Sequence, residues 1–366
     1  MSRHSRFAPS AGQACVRLLG TAMRQTHVGL FRAAARQAAL LAPAACPARL
    51  RALALVCLLA ASPAAAGERY ALIVTGASSG EPYAAKYAQW RASIVSTLRE
   101  KFGYANDRLF VLAGEQGDGA QKATRDEVRR VLGELGRRLT RDDQLLVLLV
   151  GHGTSLDGDD AKFNLVGPDL TAGEWAELVK PIAGRLVFVD ATGASYPFLH
   201  KLAGKNHIVV TATDSAAQQF ETVFPEYFVK AFDDDTADVD KNGRVSIWEA
   251  FVYASAGVRS WYEQKGQLPP ERPLLDDTGA GVGREALTPG ADGAVARVTY
   301  VEPDAPLALP SDVEKAALVR RRADAERRLE ELKARKEMMP PDQYDADLEK
   351  LLVEIARLSA EIRAKT

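Results

Sequence analysis

Short apolar runs, each bounded by glycine or polar residues, recur along the middle of this 366-residue chain and alternate with longer stretches whose apolar positions fall three and four apart. The short runs predict strands at Arg69–Thr75, Arg108–Leu112, Leu145–Val150, Leu186–Val189 and Ile208–Ala212. Between them, Tyr83–Phe102 places Trp90, Ile94 and Leu98 on one face and predicts a helix. A second helix, Thr124–Leu139, opens on the capping box Thr124-x-x-Glu127, and a third starts at Thr171-x-x-Glu174. Strands that are apolar on both faces and alternate with helices predict an α/β fold, a three-layer sandwich whose mostly parallel sheet is covered on both sides. In such sheets ligands sit beyond the carboxyl ends of the strands.

The regular alternation ends near Gly279. Thr288–Pro310 is rich in Gly, Pro and Ala and reads as a linker with one short strand at Ala296–Val301. From Ser311 the pattern is helical again. Ser311-x-x-Glu314 predicts a helix start, and Ala325, Leu329 and Leu332 form one stripe before Pro340 and Pro341 break the helix. Beyond the break Leu348, Leu351, Ile355, Leu358 and Ile362 repeat at three and four, the seam of a coiled coil. Two helices joined by a short break predict an antiparallel hairpin, whose apolar stripe faces its sister helix, the main domain or a second copy; self-association through this coiled coil stays open. The predicted organisation is therefore residues 1–66, an α/β domain over 67–287, a linker over 288–310 and a helical hairpin over 311–366.

Composition changes the picture at the amino terminus. Arg49 and Arg51 precede the apolar run Ala52–Ala61 and then Ser62-Pro63-Ala64-Ala65-Ala66, the layout of a secretory signal peptide with cleavage near Ala66. The run is too short for a membrane-spanning helix, which needs roughly 20 residues, so no stable membrane span is expected after cleavage. The expected location is extracytoplasmic, periplasmic or secreted. Cys15, Cys46 and Cys57 all lie in the segment that would be removed. Removing its eight arginines from the chain's 47 basic residues leaves 39 against 48 acidic, a net charge of −9, which argues against a nucleic-acid partner.

Two local motifs carry candidate chemistry. Thr75-Gly76-Ala77-Ser78-Ser79-Gly80 imitates a dinucleotide-binding turn, but Glu81 and Pro82 follow where another glycine is needed, and Glu81 would repel the phosphates; no such cofactor is expected. Asp238 to Glu249, in contrast, matches the twelve-residue EF-hand calcium loop. Carboxylates stand at its first and third positions (Asp238, Asp240), an amide oxygen at the fifth (Asn242) and a glutamate able to bind bidentately at the twelfth (Glu249). Gly243 supplies the sharp turn, while Arg244 and Ser246 occupy the two remaining ligand positions. Helices are predicted on either side, at Glu226–Phe232 and Ile247–Trp261. Leu275–Gly281 reads as a decayed second loop.

The remaining motifs lie at two strand ends. Leu145–Val150 runs into Gly151-His152-Gly153, and about forty residues later the strand ending at Asp190 runs into Ala191-Thr192-Gly193. Together with Phe163 to Thr171, these blocks resemble the caspase-like peptidases of the clan that includes legumain-type and caspase-type cysteine enzymes, in particular bacterial secreted relatives with an EF-hand-like loop. The resemblance covers Arg69 to about Glu285. It implies a caspase-hemoglobinase fold, His152 at the position of the general base and Thr192 at that of the nucleophilic cysteine. A threonine hydroxyl is a far weaker nucleophile than a thiol and depends on tight base geometry. The expectation is accordingly a calcium-stabilised pseudopeptidase with vestigial His152 and Thr192, binding a peptide or protein partner. An active hydrolase using His152 with Thr192 or Ser195, and a purely structural scaffold, stay open as alternatives.

Overall fold

The computed structural model describes residues 67–365 apart from 115–118, 157, 159 and 306; the expected signal segment lies outside the described residues. Seven strands form one mixed, mostly parallel sheet: β1 (Arg69–Thr75), β2 (Leu109–Ala113), β3 (Gln121–Lys122), β4 (Gln144–Val150), β8 (Arg185–Asp190), β9 (His207–Thr211) and β10 (Leu274–Asp276). Their order across the sheet is β10-β9-β8-β4-β1-β2-β3, and β10 alone runs antiparallel to its neighbour. A small antiparallel sheet, β5 (Gly153–Thr154), β6 (Lys162–Phe163) and β7 (Leu170–Thr171), grows out of the loop after β4.

Alternation along the strands divides the core in two. Ala71, Ile73, Leu146, Leu148, Val187 and Val189 face helices α1 (Glu81–Ser96), α5 (Phe224–Ala231) and α6 (Ile247–Gln264). Leu72, Val74, Leu145, Val147, Leu186 and Phe188 face α2 (Arg125–Arg138), α3 (Ala172–Val179) and α4 (Tyr196–Leu202). The sheet is thus sandwiched between two helical layers, which is why its central strands carry no polar alternation. Among the described residues no helix is long and apolar enough to cross a membrane.

Several expected boundaries shift for local reasons. The helix predicted to Phe102 ends as regular α-helix at Ser96 and finishes in a wider π turn over Thr97–Lys101. There the Thr97 hydroxyl bonds back to Ser93 O (3.1 Å) and across to Asp233 Oδ2 (2.6 Å), a side-chain competition that loosens the helical ladder. The Thr171–Glu174 capping box forms in full, but the cap of the next-to-last helix is Asp312, whose carboxylate accepts from Lys315 N, and not Ser311. Ala296–Val301 is not a strand: a 3-10 turn at Ala296–Val298 leads to a single bridge between Tyr300 and Ser246.

The carboxy-terminal helices α7 (Val313–Ala334) and α8 (Pro341–Ala364) form the predicted antiparallel hairpin. Lys365 pairs with Glu314, and Arg328 Nη2 with Glu354 at 3.1 Å, so the end of one helix lies beside the start of the other. Leu329, Leu332 and Leu351 close the seam, with Leu348 and Ile355 packed against it. The hairpin also meets the sheet: Glu331 Oε2 lies 3.1 Å from Arg185 Nη2 at the amino-terminal end of β8, in a nearly buried ion pair.

Candidate functional site

The five strands β1, β2, β4, β8 and β9 run parallel and end on one side of the sheet, so their following loops share one face. β4 and β8 are direct neighbours with Leu149 opposite Asp190, and Ala191 N donates to Leu149 O at 3.0 Å. The His152 and Thr192 blocks therefore emerge side by side, although forty residues separate them in sequence. Gly153 makes their approach possible: a Cβ there would lie 2.0 Å from Gly193 O and 2.7 Å from Thr192 Oγ1.

The two side chains are nonetheless engaged elsewhere. Thr192 Oγ1 donates to Asp190 Oδ1 at 2.7 Å, with Gly193 O at 3.1 Å, and Thr192 N donates to the same carboxylate oxygen at 3.1 Å. Thr192 is 1% exposed. Asp190 is fully buried, and desolvation lifts its carboxyl to about 7 despite the two bonds from Thr192. Among the described residues nothing bonds Asp190 Oδ2, which makes that oxygen the natural seat of the proton.

His152 is half-buried, and its Nε2 lies 3.1 Å from the Tyr87 hydroxyl. Its ring meets Tyr83 edge-on at 4.9 Å and Tyr87 at 5.6 Å. Burial lowers its pKa from the ordinary 6.5, and the nearby Glu221 only partly opposes this, so the imidazole is neutral at pH 7. Its backbone is fixed by the small sheet: Asn164 N donates to His152 O (3.1 Å), and Ala77 N to Asn164 O (3.0 Å). The aromatic series Phe163, Trp175, Phe188 and Phe198, with successive centroids 5.7 to 6.2 Å apart, anchors that sheet to the core. Neither Tyr87 nor Asn164 was singled out from the sequence. Tyr87 shares the helical stripe of Trp90 and Ile94 and reads there as core.

Ser195 does not join the pair. Its Oγ accepts from Ala212 N and Thr213 N, both at 3.1 Å, and lies 3.0 Å from Thr213 Oγ1, all of them buried. It fastens the start of α4 to the end of β9. The turn before it is strained, with Ala194 at φ +53°.

The second candidate site is the acidic loop between α5 and α6. Asp238, Asp240 and Glu249 bring ligand oxygens within 4.8 Å of one another, and hard oxygen donors in this arrangement fit a calcium-like cation. Gly243, at φ +86°, makes the turn. Glu249 closes the loop, accepting from Val239 N (2.9 Å) and Asp240 N (3.3 Å) through Oε1 and from Ser246 N (2.9 Å) through Oε2. Asn242 Oδ1 accepts from Arg244 N at 2.9 Å. Two of the expected ligands have other duties. Ser246 is the amino-terminal cap of α6, with its Oγ on Glu249 Oε2 and Glu249 N. The Arg244 side chain turns away to Asp304, Glu302 and Tyr300, leaving only its carbonyl for a cation. A cavity of about 290 Å3 opens beside this loop, lined in part by Phe102, Phe232, Asp234 and Asp238, and it is remote from His152. The decayed second loop is closed by backbone: Asp276 accepts from Thr278, Gly279 and Gly281 amides, and Asp277 from Gly293 and Ala296.

No protein-family model matches the chain, and no curated protein matches it significantly. Among solved structures it is similar to protein GSU0716 from Geobacter sulfurreducens, at 14% sequence identity and a TM-score of 0.37, over 57% of this chain and 92% of that one.

Proposed function

We propose that the chain is an exported pseudopeptidase of the caspase-like kind, steadied by calcium at Asp238, Asp240 and Glu249, that holds a peptide segment of a partner protein in the cleft beyond β4 and β8. The parallel pairing of those strands supports the resemblance read from the motifs, because it sets the base and nucleophile positions next to each other. The observation that carries the non-catalytic reading is the hydrogen bonding of Thr192: its hydroxyl is committed to Asp190 and not to His152. General-base activation needs the base within hydrogen-bond reach of the proton it removes, and here a buried carboxyl has taken that place. The rim offers apolar contact instead. Leu156 and Phe220 are 91% and 74% exposed, on loops tied together by Gln219 Nε2 donating to Ser155 O at 2.6 Å. A peptide pressed between them would bury that surface at about 25 cal/mol per Å2.

The test is incubation of residues 67–366 with a diverse peptide library, with and without calcium, alongside His152→Ala and the pair Leu156→Ser/Phe220→Ser. The expected result is peptide retention that the rim pair weakens, and intact peptides throughout. Cleavage lost in His152→Ala would establish the active hydrolase instead, and absence of retention would leave a structural scaffold.

A further inference from the structure

We infer that cation binding at the acidic loop tightens the docking of the carboxy-terminal helical hairpin, through the strap Thr299–Asp304 that both elements share. The inference rests on the metal reading of the loop, and its test separates the two.

Four loop residues, Arg244, Asn242, Ser246 and Ile247, hold the strap. Arg244 Nη1 donates to Asp304 Oδ1 (3.0 Å) and Nη2 to Glu302 O (2.6 Å), while the guanidinium lies 4.1 Å from the Tyr300 ring. Asn242 Nδ2 donates to the Tyr300 hydroxyl (3.1 Å). Ser246 bridges Tyr300, and Ile247 N donates to Thr299 O (2.9 Å). On its other side the strap is bound to the amino-terminal ends of the strands. Arg69 Nη2 donates to Asp304 Oδ2 (3.0 Å), Gln144 Nε2 to Tyr300 O (2.9 Å), and Arg185 Nη1 to Thr299 Oγ1 (3.2 Å). Arg185 then carries the link onward, because its second amino group pairs with Glu331 of α7 at 3.1 Å. The path from Asp238 to α7 is thus a continuous run of hydrogen bonds and ion pairs, and it lies at the end of the sheet opposite His152 and Thr192.

The physics of coupling follows from which loop atoms hold the strap. Asn242 and Arg244 stand at the fifth and seventh loop positions, where an amide oxygen and a backbone carbonyl would face a cation. The three carboxylates repel one another, and what gathers them is a set of hydrogen bonds from loop backbone amides, from Ser246 Oγ to Glu249 Oε2 (2.8 Å) and from Asn242 Nδ2 to Asp240 Oδ2 (2.9 Å). A cation drawing those oxygens inward selects the arrangement in which the Asn242 amide and the Arg244 guanidinium reach the strap. A ligand that binds one arrangement better than the other shifts the balance toward it, and the shift is reciprocal: hairpin docking raises the loop's affinity by the same factor.

The experiment uses residues 67–366 and calcium alone. Hydrogen exchange is followed across Val313–Ala334 while calorimetry reports binding, for wild type, Asp238→Ala, Asp304→Asn and Glu331→Ala. Calcium should slow exchange in that helix about fivefold or more in wild type, and not in Asp238→Ala. Asp304→Asn should bind calcium with most of the protection gone. Glu331→Ala should lower calcium affinity by a factor similar to the protection lost. Calcium heat in wild type with unchanged exchange across Val313–Ala334, or unchanged affinity in Glu331→Ala, overturns the coupling and spares the metal site. No calcium heat in wild type overturns both.

Discussion

Asp190 is the residue on which the candidate site turns, because its carboxyl holds the Thr192 hydroxyl that a base would need. Burial raises it to about 7, whereas in the unfolded chain it titrates near 3.8. The sign follows from linkage: between those values the unfolded state sheds a proton that the folded state keeps, so the group disfavours folding progressively as pH rises from about 4 to about 7. Asp190→Asn keeps an acceptor for Thr192 and carries no charge at any pH. It should match wild type near pH 3 and exceed it at pH 8 by a few kcal/mol, at about 1.4 kcal/mol per pKa unit, as read from denaturant unfolding at the two pH values. A constant difference would mean that Asp190 is not a neutral acid in the fold. None of this was open to sequence reading. The threonine at position 192 is visible in the chain, but that its hydroxyl donates to a carboxyl kept neutral by burial two residues away is not.

At the scale of elements, the loop after β4 and the loop after β8 are pressed together over Gly153. Gly153→Ala places a methyl group 2.0 Å from the Gly193 carbonyl oxygen and 2.7 Å from Thr192 Oγ1, in the turn after β8, and Gly193 is itself backed closely by the Gln219 and Phe220 backbone. Overpacking of this kind costs about 1–3 kcal/mol or more, and the expected result is a lower midpoint in urea together with loss of peptide retention. A variant as stable and as retentive as wild type would remove the close approach from the argument. The same element shows what the sequence could and could not tell. Apolar runs such as Leu145–Val150 announced the central strands, because burial on both faces leaves only apolar side chains there. The two-residue strands at Lys162–Phe163 and Leu170–Thr171 are too short to show any periodicity, and the three-residue β10 is held by pairing with β9 and by one bridge from Leu275 to Arg284. The carboxy-terminal helices were legible from their three-four spacing, but which acid would cap the first of them was decided by Asp312 offering a charged acceptor one residue past Ser311.

At the scale of the molecule, the strand-end residues His152 and Thr192 and the acidic loop do not share a cavity lining, and stability is the readout suited to the loop. A single loop of this ligand set, with the affinity of extracellular modules, is expected to bind calcium at roughly 0.1–1 mM. An ion that binds only the folded chain stabilises it by RT ln(1 + [L]/Kd), which at 10 mM calcium comes to about 1.4–2.7 kcal/mol. For a domain of this size that corresponds to a rise in Tm of several degrees. Scanning calorimetry on residues 67–366 should show that rise with 10 mM calcium, its reversal by a chelator, and its absence in Asp238→Ala. Magnesium at the same concentration should give less, because it demands a tighter octahedron than a flexible loop supplies and sheds its waters reluctantly. The Asp238→Ala chain should also melt somewhat below ion-free wild type, since Asp238 accepts from the Asn242 and Gly243 amides even without a cation. A calcium shift that survives Asp238→Ala would move the metal elsewhere, and an equal response to magnesium would argue for diffuse charge screening of residues 67–366, of net charge −9, over a built site.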